Sequence, residues 1–206
     1  QDRIDASNTV AQYRALGLLE GDVDLLVASK ELFDSGTLAF YDNERKVVNV
    51  RGTKMTVDLR VTLAHELTHV LQDQWFDLSR IGDRDVDGDE TMAFRSLVEG
   101  DAVTTENRYV DQLSDADRAA YEAASSASSD KSKADLSDVP DVLSTSFAAQ
   151  YAIGPGFVSV VEAKERSDEA DPAAMDAVLR SPPDSTAFLF HPPDFFADVR
   201  RAKVDR

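Results

Sequence analysis

The feature that most limits how this chain can fold is a stretch at residues 56–76, where two histidines stand four residues apart inside a helical pattern. Leu59, Leu63, Leu67, Val70 and Leu71 recur at helical spacing, so the stretch predicts one long helix with an apolar stripe. Within it runs Ala64-His65-Glu66-Leu67-Thr68-His69-Val70. Four residues advance a helix by roughly 400° and about 6 Å, so His65 and His69 project from one face, one turn apart. Two imidazole Nε2 atoms placed that way can meet a single zinc ion at ~2.0–2.1 Å. Glu66 lies ~100° round the helix, too far to ligate beside them but near enough to reach a water at the ion. At this chain's His and Glu frequencies the pattern arises by chance in roughly two of a thousand such chains.

A zinc site that keeps its fourth position open needs a third protein ligand. The metzincin continuation would put Gly at position 72 and His at 75; Gln72 and Trp75 stand there, which excludes it. A carboxylate from the next helix is the other continuation. Glu99, in Leu97-Val98-Glu99-Gly100-Asp101-Ala102, is the best candidate, because it follows His69 by 30 residues with a loop between that lets a second helix return alongside the first. Glu90 suits the start of that helix, where a carboxylate meets the dipole. Glu106, seven residues beyond Glu99 and on the same face, is placed to support a histidine, as are Asp101 and Asp73. Gly100 would let another backbone approach closely.

The His65-Glu66-x-x-His69 helix followed by Val98-Glu99-Gly100-Asp101-Ala102 resembles the gluzincin metallopeptidases, the thermolysin-like clan, and within it a group of small prokaryotic enzymes. Ala39-Phe40-Tyr41-Asp42, Leu71-Gln72-Asp73-Gln74 and Pro182-Pro183-Asp184-Ser185-Thr186 leading to His191-Pro192 extend the resemblance over most of residues 38–193. It implies zinc held by His65, His69 and Glu99, with Glu66 as general base in peptide-bond hydrolysis and a peptide or protein as substrate. It also implies that His191 donates to the oxyanion, and that the strand at residues 46–51 aligns the peptide. The chain departs from the thermolysin pattern in a longer interval to Glu99, and in Val103 where an Asp would follow it. From the residues alone, Tyr151 and Tyr109 are alternative oxyanion donors.

The rest of the chain is expected to be a single domain, residues 1–206, of α+β class: mostly helical, with a small antiparallel sheet near the N-terminus and the zinc helix packed on the ligand helix. Residues 9–33 have helical spacing that Gly17 and Gly21 split in two. Residues 37–41 and 46–51 are β-rich runs around polar turn residues, a hairpin signal. A second long helix is expected over residues 90–113. Residues 114–140 read as a flexible or partly helical connection, with 125–133 a mobile loop. Residues 142–152 and 156–165 read as two short helices broken at Gly154-Pro155-Gly156, and the tail from Ser181 as ordered but irregular. Asp83, Asp85, Asp87 and Gly88 copy the first half of a calcium loop, but Phe94 stands where its closing Glu belongs.

Net charge bounds the partners. With 39 acidic against 22 basic residues the chain carries −17, which argues against nucleic acid and anionic membranes. The Asp-rich, Lys-poor composition is that of proteins from high-salt surroundings, and equally that of a GC-rich genome. No apolar run approaches the ~18 residues of a membrane span. The absence of cysteine removes disulfides and thiolate chemistry. Because the chain opens on Gln1, a processed form and an extracytoplasmic or secreted location are expected. Oligomeric state leaves no sequence signal. Three other readings stand beside the peptidase, one of them a helical scaffold that recruits a partner protein with no metal at all. A non-catalytic binding protein could keep the zinc site, or a non-haem Fe(II) enzyme could use the two His and one carboxylate as a facial triad.

Overall fold

A computed structural model describes residues 2–35, 37–80, 88–166 and 173–197. Asp83, Asp85 and Asp87 of the calcium-like loop lie outside the described residues. The order is α1 (Asp2–Ala15), α2 (Leu25–Asp34), β1 (Ala39–Asp42), β2 (Val47–Val50), α3 (Val57–Phe76), α4 (Gly88–Asp111), α5 (Asp115–Asp135), α6 (Asp141–Glu165), α7 (Ala174–Arg180), α8 (Thr186–Phe190) and α9 (Pro192–Phe196). Helices dominate, and the two strands form one antiparallel sheet, which is the expected α+β class.

Local chemistry sets the boundaries. Asp24 caps α2 by accepting from the Leu26 and Val27 amides, and Ser114 caps α5 by accepting from Asp117. Asp77 ends α3 in the left-handed region, at φ 56°. In the hairpin, Asp42 Oδ1 accepts from the Glu44 and Arg45 amides, and Lys46 takes φ 58° to return the chain. Ala39 pairs with Val50 and Tyr41 with Val48. Because Arg51 N–H donates to the Leu38 carbonyl, Leu38 and Arg51 face each other as a hydrogen-bonded pair. The alternation of an antiparallel ladder then turns the main-chain groups of Ala39 and Tyr41 away from β2.

The core lies between α4 and α6. Phe94, Leu97 and Val98 meet Phe157, Val158 and Val161, closed by Val178 and Leu179 of α7 and Leu189 of α8. α4 and α6 approach most closely where Gly100 faces Gly154: a methyl on Gly100 would lie 2.7 Å from Gly154 Cα, and one on Gly154 would overlap the Ser96 carbonyl oxygen. The close approach expected at Gly100 is therefore present, directly beside Glu99.

Four expectations are corrected. The apolar stripe of α3 faces inward only in part: Leu59 is buried, but Leu67 and Leu71 are 53% and 57% exposed, while His65, Glu66, Gln72 and Asp73 are buried. A polar face can be buried when every group on it finds a partner, and these do. Residues 125–133 form the second half of α5 rather than a loop, although α5 buries no residue. α6 runs unbroken through Pro155. The proline removes one bond, the one residue 155 would give to the Tyr151 carbonyl, and packing on α4 outweighs that loss. The Pro-rich tail is helical in α8 and α9, with Pro192 at the first position of α9, where its missing N–H costs nothing.

Candidate metal centre

α3 and α4 bring three ligating atoms together. His65 Nε2 lies 3.1 Å from His69 Nε2 and 3.2 Å from Glu99 Oε2, and His69 Nε2 lies 3.4 Å from the same oxygen. This His65–His69–Glu99 cluster could hold a metal ion. The helical spacing accounts for the two imidazoles. The Gly100–Gly154 crossing, which seats α4 against α6, sets where Glu99 meets them.

Each imidazole is oriented from behind. His65 Nδ1 lies 3.0 Å from Glu106 Oε2, and Tyr121 of α5 donates to the other oxygen of that carboxylate at 3.4 Å. His69 Nδ1 lies 2.8 Å from Gln72 Oε1. The amide of Gln72 has a determined orientation, because its Nε2 donates to the Val98 carbonyl at 3.0 Å and to Asp101 Oδ2 at 2.8 Å, leaving Oε1 for the histidine. An amide oxygen and a carboxylate only accept here. Both Nδ1 atoms therefore carry a proton, and both Nε2 atoms face Glu99.

Glu66 is held apart from the cluster. Its Oε2 accepts the Tyr41 amide of β1 at 2.7 Å, through the N–H that the ladder turns away from β2. Burial raises the Glu66 carboxyl above its ordinary value, opposed by the two histidines and by that amide. Burial also lowers His65, but the Glu106 and Glu99 carboxylates outweigh it and hold the imidazolium up to about 9. Burial would raise Glu99, yet its bonds to His65 and His69 hold it down at about 2. Tyr151 of α6 lies beside the cluster, its ring 6.4 Å from that of His65. Burial, then the charges of Glu99 and Glu66, push its phenol above the ordinary range.

The remaining candidates fall elsewhere. Asp73 does not support a histidine. It accepts from the Tyr41 hydroxyl at 2.6 Å, the Lys46 ammonium at 2.5 Å and the Leu78 amide at 3.1 Å, so it clamps the hairpin onto α3. Asp101 reaches His69 only through Gln72. Tyr109 pairs with Arg60. His191 is exposed at the junction of α8 and α9. α8 meets α4 at Asp89, ~15 Å of helix rise from Glu99. β1, not the 46–51 strand, lies against Glu66. Sequence reasoning missed Gln72, although its place three residues after His69 is a helical-neighbour position. It also missed Tyr121, for which no sequence signal exists.

Comparison with protein-family models, with curated proteins and with solved structures found no match. Among the described residues, no helix is long and apolar enough to cross a membrane.

Proposed function

We propose that the chain hydrolyses peptide bonds with zinc held by His65, His69 and Glu99. The observation that carries this reading is a three-ligand cluster with a buried, separately anchored carboxylate beside it. The separations of 3.1, 3.2 and 3.4 Å suit zinc. Bonds of ~2.0–2.1 Å in a tetrahedron put ligand atoms about 3.3–3.4 Å apart. Among the described residues the cluster has three ligating side chains, the number that leaves a fourth position for chemistry. When bound, zinc would supply a Lewis acid for the carbonyl and make a water acidic at neutral pH.

The chain's own groups do the rest. Glu66, raised by burial, takes a proton from the attacking water and passes it to the leaving amine. The Tyr41 amide keeps Glu66 from swinging into the ligand set. Tyr151, kept protonated by burial and by the nearby carboxylates, takes over the oxyanion-donor role that the resemblance assigns to His191. A facial-triad iron would have no use for Glu66, which favours zinc hydrolysis over that alternative.

The test is metal content by mass spectrometry on protein purified without added metal, together with hydrolysis of a quenched-fluorescent peptide library. One zinc per chain is expected, lost in His65→Ala. Glu66→Gln is expected to keep the zinc and lose roughly 100- to 10,000-fold in kcat. Iron in place of zinc, no metal even after loading, or full activity in Glu66→Gln would each overturn the reading.

A further inference from the structure

Behind the cluster, on the side of His69 away from Glu99, α3, α4 and α7 line a half-open cavity of about 480 Å³. That is within the ~300–1,000 Å³ of small-molecule sites. Leu71 and Trp75 of α3 stand at its mouth, 57% and 72% exposed, with Met175 and Leu179 of α7 opposite. The same cavity is lined by Gln72 and Asp101, the pair that orients His69. It thus joins an apolar wall, an aromatic ring and a carboxylate.

The charge balance of the lining decides what fits. The cation at the rim, Arg180, pairs with Asp176 at 3.2 Å and lies over the Phe76 ring at 5.4 Å, so its charge is already answered. Asp101 has as its described hydrogen-bond partner only the neutral amide of Gln72. Arg108, which also acts on Asp101, is paired with Glu162 at 2.5 Å. One carboxylate is left to act on whatever enters, in a chain of net charge −17.

We infer that this cavity binds an apolar group bearing a positive charge, an aryl- or alkyl-ammonium or -guanidinium, with its hydrocarbon part between Trp75 and Leu179 and its cation on Asp101. The Trp75 face adds attraction for the cation. The inference does not rest on the peptidase reading, because the cavity lies outside the ligand set and needs no metal.

Trp75 is the one tryptophan of the chain, so its fluorescence reports on this cavity alone. Phenethylammonium, phenethyl alcohol and 3-phenylpropionate are titrated into chelated protein and into His65→Ala, with calorimetry alongside. The cation is expected to bind saturably, the alcohol at least ten-fold more weakly and the carboxylate not at all. Asp101→Asn should weaken the cation at least ten-fold and leave the alcohol unchanged. Should that variant fail to fold, Leu71→Ala, at an exposed wall position, should weaken cation and alcohol alike. No saturable signal by either method, equal binding of the cation and the carboxylate, or unchanged affinities in both variants would overturn the inference. Loss of peptidase activity with cation binding intact would instead bear only on the metal reading.

Discussion

Two glycines two residues apart in α6 should respond oppositely to the same substitution. Gly156 is exposed, and nothing lies within 4 Å of a methyl built on it. Gly156→Ala therefore gains the helix propensity of alanine and should stabilise by about 1 kcal/mol. Gly154 is buried against α4, and its methyl would overlap the Ser96 carbonyl oxygen and lie 2.8 Å from Gly100 Cα. Both obstacles are backbone, so neither can rotate aside. An ordinary carbon–oxygen contact needs ~3.3 Å, which forces the helices apart by on the order of an ångström. A gap of that size forfeits a quarter to a half of the dispersion energy across the Phe94–Phe157 core. The overpacking cost is ~3 kcal/mol, against ~1 kcal/mol of propensity gained, for a net loss of about 2 kcal/mol. The two variants should thus differ by ~3 kcal/mol, or roughly 6–12 °C in Tm for a chain of this length. Thermal melts followed by circular dichroism measure the gap. Gly154→Ala should also weaken metal binding, because Glu99 is the residue next to the Gly100 contact. If Gly154→Ala melts with or above Gly156→Ala, α4 and α6 do not cross as described.

The metal centre yields two shorter predictions. Glu106→Gln removes the charge behind His65 and should lower zinc affinity ~10- to 100-fold by competition with a chelating dye; an unchanged affinity would separate Glu106 from the site. In chelated protein, His65 has its pKa raised from 6.5 to about 9, so its contribution to stability is fully present below pH 6.5 and is lost as pH rises through 9. That contribution is about 3 kcal/mol, counted once for the shared His65–Glu99 interaction, and chelated protein should melt lower at high pH; a flat profile would refute the carboxylate pairing.

Much of the site was legible because helical geometry makes short-range statements reliable. A spacing of four fixed the relation of His65 to His69, and a spacing of seven from Glu99 to Glu106 correctly put a second carboxylate on the same face. Gly100 was legible for the complementary reason: a glycine next to a ligand has few uses other than close approach. What failed were statements that depend on which neighbour a side chain meets. Asp73 and Gln72 are adjacent on α3 and both buried. Their roles divide according to whether β1 or α4 lies opposite, and that is a tertiary fact. The placing of His191 depends on the same kind of fact, because it follows from how α8 docks on the start of α4.

The apolar stripe of α3 failed for an instructive reason. Period and hydrophobicity identified the helix, but the assumption that the greasier face turns inward held for Leu59 and failed for Leu67 and Leu71. His65, Glu66, Gln72 and Asp73 each gain a hydrogen-bond partner on α4 or β1, and a fully satisfied polar face competes with leucine for burial. The consequence is visible outside: Leu67, Leu71 and Trp75 remain at 53%, 57% and 72% exposure along one side of α3. A helix that buries His65, Glu66, Gln72 and Asp73 and exposes Leu67 and Leu71 violates the ordinary pattern at the place where the candidate metal centre is built. Such a conflict between local pattern and tertiary arrangement is itself a marker of function. It could have been found in the sequence by asking which face of α3 the two histidines require to be inside, before asking which face is apolar.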